Sequence, residues 1–187
     1  MRIISGELKG KKILAPLDKS TRPLKDMVRE SIFNILDHST KFSVRINNAK
    51  VLDLFSGTGS FGIECLSRGA NKVIFFENYH NSLNILKKNL FNLRLENKSK
   101  VFNLSAYKLE DADLKNLKFE IIFLDPPFKD EELKSLIDQI KKISITVLNT
   151  IIIIHRNKKS NDKISEYLNI IEEKKYGLSK IFFCKLI

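Results

Sequence analysis

Cysteine is scarce in this chain: Cys65 and Cys184 are the only two thiols in 187 residues, far apart and without C-x-x-C spacing. That excludes a disulfide framework and a cysteine metal cluster, and it suits reduced core thiols in a cytoplasmic protein. His38, His80 and His155 are scattered and make no zinc pattern, so no metal is expected. Long apolar runs are missing as well. The stretch Ile151–Ile154 is far too short to cross a bilayer, and the N-terminus, with Arg2 and Glu7, lacks the apolar core of a signal peptide. No internal repeat or low-complexity segment stands out. Acid is the minority charge: 22 Asp and Glu against 33 Lys and Arg leave a net +11. With a pI near 9.6, that balance favours a polyanionic partner such as nucleic acid, part of the lysine excess being attributable to an AT-rich genome. What is present, 43% hydrophobic and 29% charged residues, is ordinary for one soluble domain with a sizeable core.

The chain is organised around Lys50–Gly62, KVLDLFSGTGSFG. Val51, Leu52 and Leu54 around Asp53 read as a buried parallel strand, which runs into a Gly-rich turn and the helix-like FGIECLSRG. Gly57 and Gly59 lack the Cβ atoms that would hold a ligand off the backbone. A nucleotide-like cofactor is expected there, at the carboxyl end of a strand. On this element alone a dinucleotide stays open, because Gly57-x-Gly59-x-x-Gly62 fits the G-x-G-x-x-G fingerprint and Glu77 follows at a ribose-binding distance.

Further strands are expected at Lys72–Phe76, Val101–Leu104, Glu120–Leu124 and Asn149–Ile154. Helical periods cover Met27–Leu36, Asn81–Leu93 and Asp130–Ile140, and a further short helix is expected at Lys163–Leu168. Glu172–Tyr176 and Ile181–Leu186 flank Gly177 as a closing antiparallel pair. Alternating strands and helices predict an α/β fold with a mostly parallel sheet. Arg2–Leu14 reads as a small hairpin outside that sheet, so residues 1–48 are taken as an N-terminal extension and 49–187 as the main domain. The first 29 residues carry eight cations (Arg2, Lys9, Lys11, Lys12, Lys19, Arg22, Lys25, Arg29) against three acids, a candidate phosphate-contacting surface.

Asp125-Pro126-Pro127-Phe128 is the most specific signal. The two prolines fix φ and offer carbonyls without N–H groups. Asp125 brings a carboxylate to a strand end, and Phe128 a face on which a base can stack. A conjugated exocyclic amine is a poor nucleophile. Held by two acceptors, Asp125 and the Pro126 carbonyl, it could turn its lone pair toward an electrophilic methyl in the Gly57–Gly59 cradle, with positioning and electrostatics carrying the catalysis.

At this point the chain resembles the RsmD-type 16S rRNA (guanine-N2)-methyltransferases, within the class I S-adenosylmethionine-dependent enzymes. The likeness rests on RIISGELKGKKI, TRPLKDMVRESIFNIL, LDLFSGTGSFGIECLSRGA, FLDPPF and KKYGLSKIFF in that order, covering almost the whole length. It implies a Rossmann-like fold with a seven-stranded sheet and an antiparallel C-terminal edge. S-adenosylmethionine would be held by Asp53, Phe55, Ser56, Gly57, Thr58 and Gly59, by Glu77 and Asn78 at the ribose, and by Ser105 and Ala106 at the adenine, with Asp125 at its methyl end. Asp125, Pro126, Pro127 and Phe128 would bind the target guanine. Arg2, Lys9, Lys11, Lys12, Arg22 and Arg29 would contact 16S rRNA, in a 30S subunit or an assembly intermediate, and the protein would act as a monomer. Two positions depart from the family: Ser105 stands where an acid or Asn is common, and His155 near another common acid. His155 is given no role, and Phe91 and Tyr107 read as packing residues.

Three other readings are weighed. A nicotinamide oxidoreductase accounts for the glycines and Glu77 but not for Asp125–Phe128 or the basic arm. A non-catalytic RNA-binding module accounts for the charge alone. An amino methyltransferase of adenine N6 stays open on chemistry, since the same acceptor pair suits either amine.

Overall fold

The computed structural model describes residues 1–15, 24, 26–114, 116–127 and 130–187; Arg22 and Phe128 lie outside the described residues. Strand β1 (Lys50–Leu54) is followed by helix α2 (Ser60–Ser67), β2 (Lys72–Phe76), α3 (His80–Leu93), β3 (Ser99–Phe102), β4 (Phe119–Leu124), α4 (Leu133–Lys142) and β5 (Thr146–Asn157). Helix α1 (Asp26–His38) precedes them, and β6 (Leu168–Tyr176) and β7 (Ser179–Leu186) close the chain. The seven strands lie in the order β3-β2-β1-β4-β5-β7-β6. The pairs among β1 to β5 are parallel, whereas β7 runs antiparallel to both β5 and β6. The α/β fold and antiparallel edge expected from the sequence are both formed.

The central strands are continuous apolar runs because both of their faces are covered, as parallel sheets require. Alternation sends Val51, Val73, Phe75, Ile121, Phe123, Ile151 and Ile153 to one face, against Val28, Ile32 and Phe33 of α1, Phe61 and Ile63 of α2, and Leu86 and Leu90 of α3. Leu52, Leu54, Ile74, Phe76, Ile122, Leu124, Ile152 and Ile154 face the other side, against Leu133, Leu136, Ile137 and Ile140 of α4. Phe61 stacks on Phe123 at 4.0 Å between ring centroids and on Phe33 at 5.2 Å, so α1 reaches the sheet through α2.

Several local expectations are corrected. α4 starts at Leu133, not Asp130, because the Asp130 carboxylate accepts from Glu132 N at 2.9 Å and forms a turn first. Only Ile164–Glu166 is helical near Lys163, as a 3-10 turn, since Leu168 already pairs with Leu186 in the sheet. The small N-terminal hairpin expected outside the sheet does form: Arg2 bridges Lys12 antiparallel, with Ile3 N donating to Lys11 O and Ile13 N to Met1 O, both at 3.0 Å.

Besides pairing with itself, that segment docks on α2. The buried Glu64 carboxylate accepts from Ile4 N at 2.8 Å, Ser5 N at 2.9 Å and Arg68 Nε at 2.9 Å. Glu7 N donates to Ser67 O at 2.8 Å and Leu8 N to Ser67 Oγ at 3.0 Å. Gly6 is required here: at φ +83° a Cβ would lie 1.8 Å from Ser67 O. Ile3, Ile13, Leu24 and Val28 fall in the same apolar cluster as Val51 and Val73, so the residues before 49 share the main core.

Arg29 is corrected too. Its side chain is wholly buried, with Nη2 donating to Arg2 O at 2.5 Å and to Asp26 Oδ1 at 3.1 Å, and so it braces the N-terminal segment from inside. Burial lowers its pKa, partly offset by Asp26 and Glu64. Replacing Glu64→Leu strands two backbone N–H groups and leaves Arg68 and Arg29 less compensated. A loss of about 3 kcal/mol in unfolding free energy is expected, with faster proteolysis of residues 1–15. Chemical denaturation and limited proteolysis measure both, and an unchanged midpoint would remove Glu64 from this role.

Candidate active site

The site grows from strand ends brought level. Leu54 pairs with Phe76 and with Leu124, and Leu124 pairs with Ile154. The next residue on each strand, Phe55, Glu77, Asp125 and His155, therefore emerges in one row at the carboxyl edge. The chain order reverses here, β2 and β4 flanking β1, which is where open α/β sheets place ligands.

After Leu54 the chain turns sharply, with positive φ at Phe55 (+62°), Gly57 (+56°) and Gly59 (+85°). Ser56 locks the turn: its hydroxyl donates to Asp53 O at 2.7 Å and accepts from Phe76 N at 3.0 Å. Gly59 leads into α2, and a Cβ there would meet Leu86 Cδ1 at 2.4 Å, whereas at Gly57 a Cβ would meet nothing within 4 Å. Gly57 thus serves conformation and an open approach to the backbone, and Gly59 close packing. Thr58 O is held by Asn89 Nδ2 at 3.0 Å, and the same Asn89 side chain bonds Leu14 N at 2.8 Å and Leu14 O at 3.1 Å. The N-terminal segment is tied in this way to the glycine loop.

Three carboxylates gather here, Glu77 and Asp125 in the row and Asp53 two residues back on β1. Asp53 is 1% exposed. Its Oδ2 accepts from Gly62 N at 3.0 Å, while Oδ1 is buried with no hydrogen-bond partner among the described residues. Burial raises its pKa well above the usual carboxyl range, the Gly62 bond opposes this, and the charges of Asp125 and Glu77 add to the rise. Glu77 Oε2 accepts from Gly57 N and Oε1 from Tyr79 N, both at 2.7 Å. Burial raises Glu77 as well, against those backbone bonds. Asn78 follows Glu77 and is exposed. Such a cluster, with an unmet carboxylate oxygen, suits a ligand carrying positive charge and hydroxyl groups.

The third wall is the turn Ser105-Ala106. Ser105 Oγ accepts from Tyr107 N at 3.3 Å, and Tyr107 packs edge-on to Phe55 at 5.2 Å, bringing this turn to the glycine loop. The Tyr107 phenol is kept protonated by burial and by Asp130 nearby, which raise its pKa.

Asp125 and the prolines are gripped by residues that sequence reasoning missed. Asp125 Oδ1 lies 2.7 Å from His155 Nδ1, and His155 Nε2 lies 2.9 Å from Ser179 Oγ. Arg156, 1% exposed, donates to Pro127 O at 3.1 Å and Asp130 O at 2.8 Å, and is paired with Asp162 at 2.6 Å. The Pro126 carbonyl and Asp125 Oδ2 take no hydrogen bond among the described residues. The sequence signals were slight: both residues end an apolar strand, and His155 stands near a position where the family it resembles commonly has an acid.

The exposed cations Arg2, Lys9, Lys11 and Lys12 lie on the segment docked to α2, outside the row of strand ends. Arg29 is absent from that surface because it is buried. Among the described residues no cluster of His, Cys, Asp and Glu could hold a metal ion, and no helix is long and apolar enough to cross a membrane.

The chain is similar to known proteins over most of its length. The family described as Conserved hypothetical protein 95 matches residues 1–185. YlbH of Bacillus subtilis is 39% identical over 138 residues, 73% of this chain and 72% of its own. Ribosomal RNA small subunit methyltransferase D of Buchnera aphidicola from Baizongia pistaciae is 32% identical over 183 residues, 98% of this chain and 89% of its own. The solved structure of yhhF from Escherichia coli covers 100% of this chain and 97% of its own, at 27% identity and a TM-score of 0.82.

The raised Asp53 carboxyl makes a prediction for the ligand-free protein. A group whose pKa rises on folding stabilises below its unfolded value, and that contribution is lost as pH climbs through the folded one. From about pH 4 upward, stability should therefore decline relative to Asp53→Asn, whose amide oxygen still accepts from Gly62 N. Thermal melts of both proteins across a pH series measure the difference, and parallel curves would contradict it.

Proposed function

We propose, since the chain belongs to the Conserved hypothetical protein 95 family of RsmD-type proteins, that this protein methylates the exocyclic N2 of a guanine in 16S rRNA, using S-adenosylmethionine. The observation that carries the reading is the adjacency of two half-sites. The glycine loop follows β1, the Asp125 turn follows β4, and these strands pair with Leu54 level with Leu124. An acceptor pair for an amine and a cradle for a cationic cofactor thereby share one wall.

The residues fit that cofactor: the partnerless Asp53 Oδ1 suits its ammonium group, and Gly57 leaves the loop backbone open to approach. Glu77 has lone pairs left to accept from the ribose hydroxyls, beside exposed Asn78, and Ser105-Ala106 would border the adenine. Bound there, S-adenosylmethionine would supply an electrophilic sulfonium methyl, with sulfur keeping the C–S electron pair. Asp125 Oδ2 and Pro126 O accept the two amine N–H hydrogens and turn the nitrogen lone pair toward the cradle. As positive charge develops on that nitrogen, the Asp125 carboxylate stabilises it and stands ready for the proton it sheds. Phe128 would stack on the base. Arg2, Lys9, Lys11 and Lys12, joined by Arg22, would neutralise rRNA phosphates. The substrate would be a 30S subunit or assembly intermediate, and the protein a cytoplasmic monomer.

Methyl transfer from labelled S-adenosylmethionine to 30S subunits lacking the modification, with nucleoside mass spectrometry, tests the reaction. N2-methylguanosine at one site is expected. N6-methyladenosine would keep the chemistry and overturn the base assignment, and no transfer to 30S particles, naked rRNA or DNA would overturn the enzyme reading.

Two substitutions divide the labour. Asp125→Ala should lower kcat about 100-fold or more while cofactor affinity stays within about threefold. Glu77→Ala should instead weaken cofactor binding by about 10-fold to 100-fold. Calorimetry and single-turnover rates separate the two, and equal losses of binding in both variants would sink this division.

A further inference from the structure

The histidine at the end of β5 holds the reacting carboxylate, and resting on the methyl-transfer reading above, we propose that His155 is a positioning residue for that step. As the Nδ1–H tautomer it donates to Asp125 Oδ1, and it leaves Oδ2 as the anionic acceptor for the substrate amine.

Four observations carry this. His155 follows Ile154 in the strand-end row and is 7% exposed, so its ring has little freedom. Nδ1 and Asp125 Oδ1 are 2.7 Å apart, which demands a hydrogen between them; with the carboxylate ionised, that hydrogen belongs to Nδ1. Ser179 Oγ lies 2.9 Å from Nε2, where its hydroxyl donates and fixes the tautomer from the other side. Finally, Asp125 Oδ2 takes no hydrogen bond among the described residues.

A carboxylate on a strand end can otherwise rotate about χ2 and offer either oxygen in any orientation. With Oδ1 bound to an immobile imidazole, the plane of the carboxylate is set before substrate arrives. Ser179 reaches His155 because β7 pairs antiparallel with β5, Ser179 facing Asn157 two residues along. The C-terminal edge of the sheet therefore takes part in the site through one hydroxyl.

The distinguishing property of this role is its split between steps. His155→Leu removes the donor and should lower kcat on the order of 100-fold, the scale of a misplaced catalytic group. S-adenosylmethionine affinity and the melting temperature should stay near wild type, because the bonds of His155 to Asp125 and Ser179 lie outside the glycine loop and the apolar clusters. In His155→Asn the amide nitrogen stands close to the place of Nδ1, and that variant should recover most of the lost kcat. His155→Gln carries its amide near Nε2 and should not.

The hydrogen bond can also be read without turnover. Nitrogen-15 correlation spectra of the ring, assigned by difference against His155→Leu, should show a hydrogen on Nδ1 in the wild-type protein. A bare Nδ1 overturns the proposal whatever the rates. Unchanged kcat in His155→Leu overturns it as well, and so does a loss of cofactor affinity and melting temperature in step with kcat, which would mark a packing role. Failure of the wild-type protein to transfer methyl to any nucleic acid sinks the function instead, and the tautomer then still decides whether His155 serves Asp125.

Discussion

Leu54 pairs with Phe76 on one side and with Leu124 on the other, and Leu124 pairs in turn with Ile154. This common register is the constraint from which the site follows. Side chains in a strand alternate between faces, so a slip of one residue would exchange the two faces of that strand. The exchange is blocked where both faces are packed: Ile151 to Ile154 and Ile121 to Leu124 are 0% to 2% exposed, each against a different set of helices. Core packing thus fixes backbone register, and register fixes the row of Phe55, Glu77, Asp125 and His155. No catalytic geometry has to be built separately from the fold.

What stands in and behind that row is costly for a folded protein. Asp53 is buried with one oxygen unmet among the described residues, Glu77 is buried too, and Asp125 adds a third negative charge that raises Asp53 further. Local bonds from Gly62, Gly57 and Tyr79 only partly offset the desolvation. A core designed for stability alone would not place three carboxylates on adjacent strand ends, since each unpaired buried charge is expensive. A cationic ligand bearing hydroxyls changes the sign of the problem, because the same carboxylates then become its binding energy. The glycine loop serves that exchange by leaving its backbone uncovered beside them.

Much of this was readable in one dimension. The strands announced themselves as short apolar runs bounded by polar turns, and Gly57, Gly59 and Asp125–Pro127 carry chemistry that few other sequences would explain. The unread parts share a physical cause: they depend on partners distant in sequence. Arg29 looked like one more surface cation, yet Arg2 and Asp26 close over it. The docking of the N-terminal hairpin was not legible, because it rests on Glu64, sixty residues away from Ile4, which accepts from its backbone. α4 began late because Asp130 turned its carboxylate onto Glu132 N. His155 and Arg156 read as the tail of a strand, and nothing local says that Asp125, Ser179, Pro127 and Asp162 surround them.

Those two neighbours also explain how the Pro-Pro turn is specified. Prolines offer acceptors and no donors, so such a turn cannot hold itself and must be held by donors from elsewhere. Consecutive residues of β5 supply them from opposite faces: His155 to Asp125 Oδ1, and Arg156 to Pro127 O and Asp130 O. Asp130 N adds a bond to Pro127 O at 3.0 Å. The donors do not saturate the turn evenly. They fill one oxygen of Asp125 and the carbonyl of the second proline, and they leave the other carboxylate oxygen and the carbonyl of Pro126. Among the described residues two acceptors remain, adjacent in sequence and beside the glycine loop, and an exocyclic amino group has two N–H hydrogens to give. On the methyl-transfer reading proposed above, the donors that stiffen the turn would also select its ligand, because what they leave unfilled is the complement of an amine.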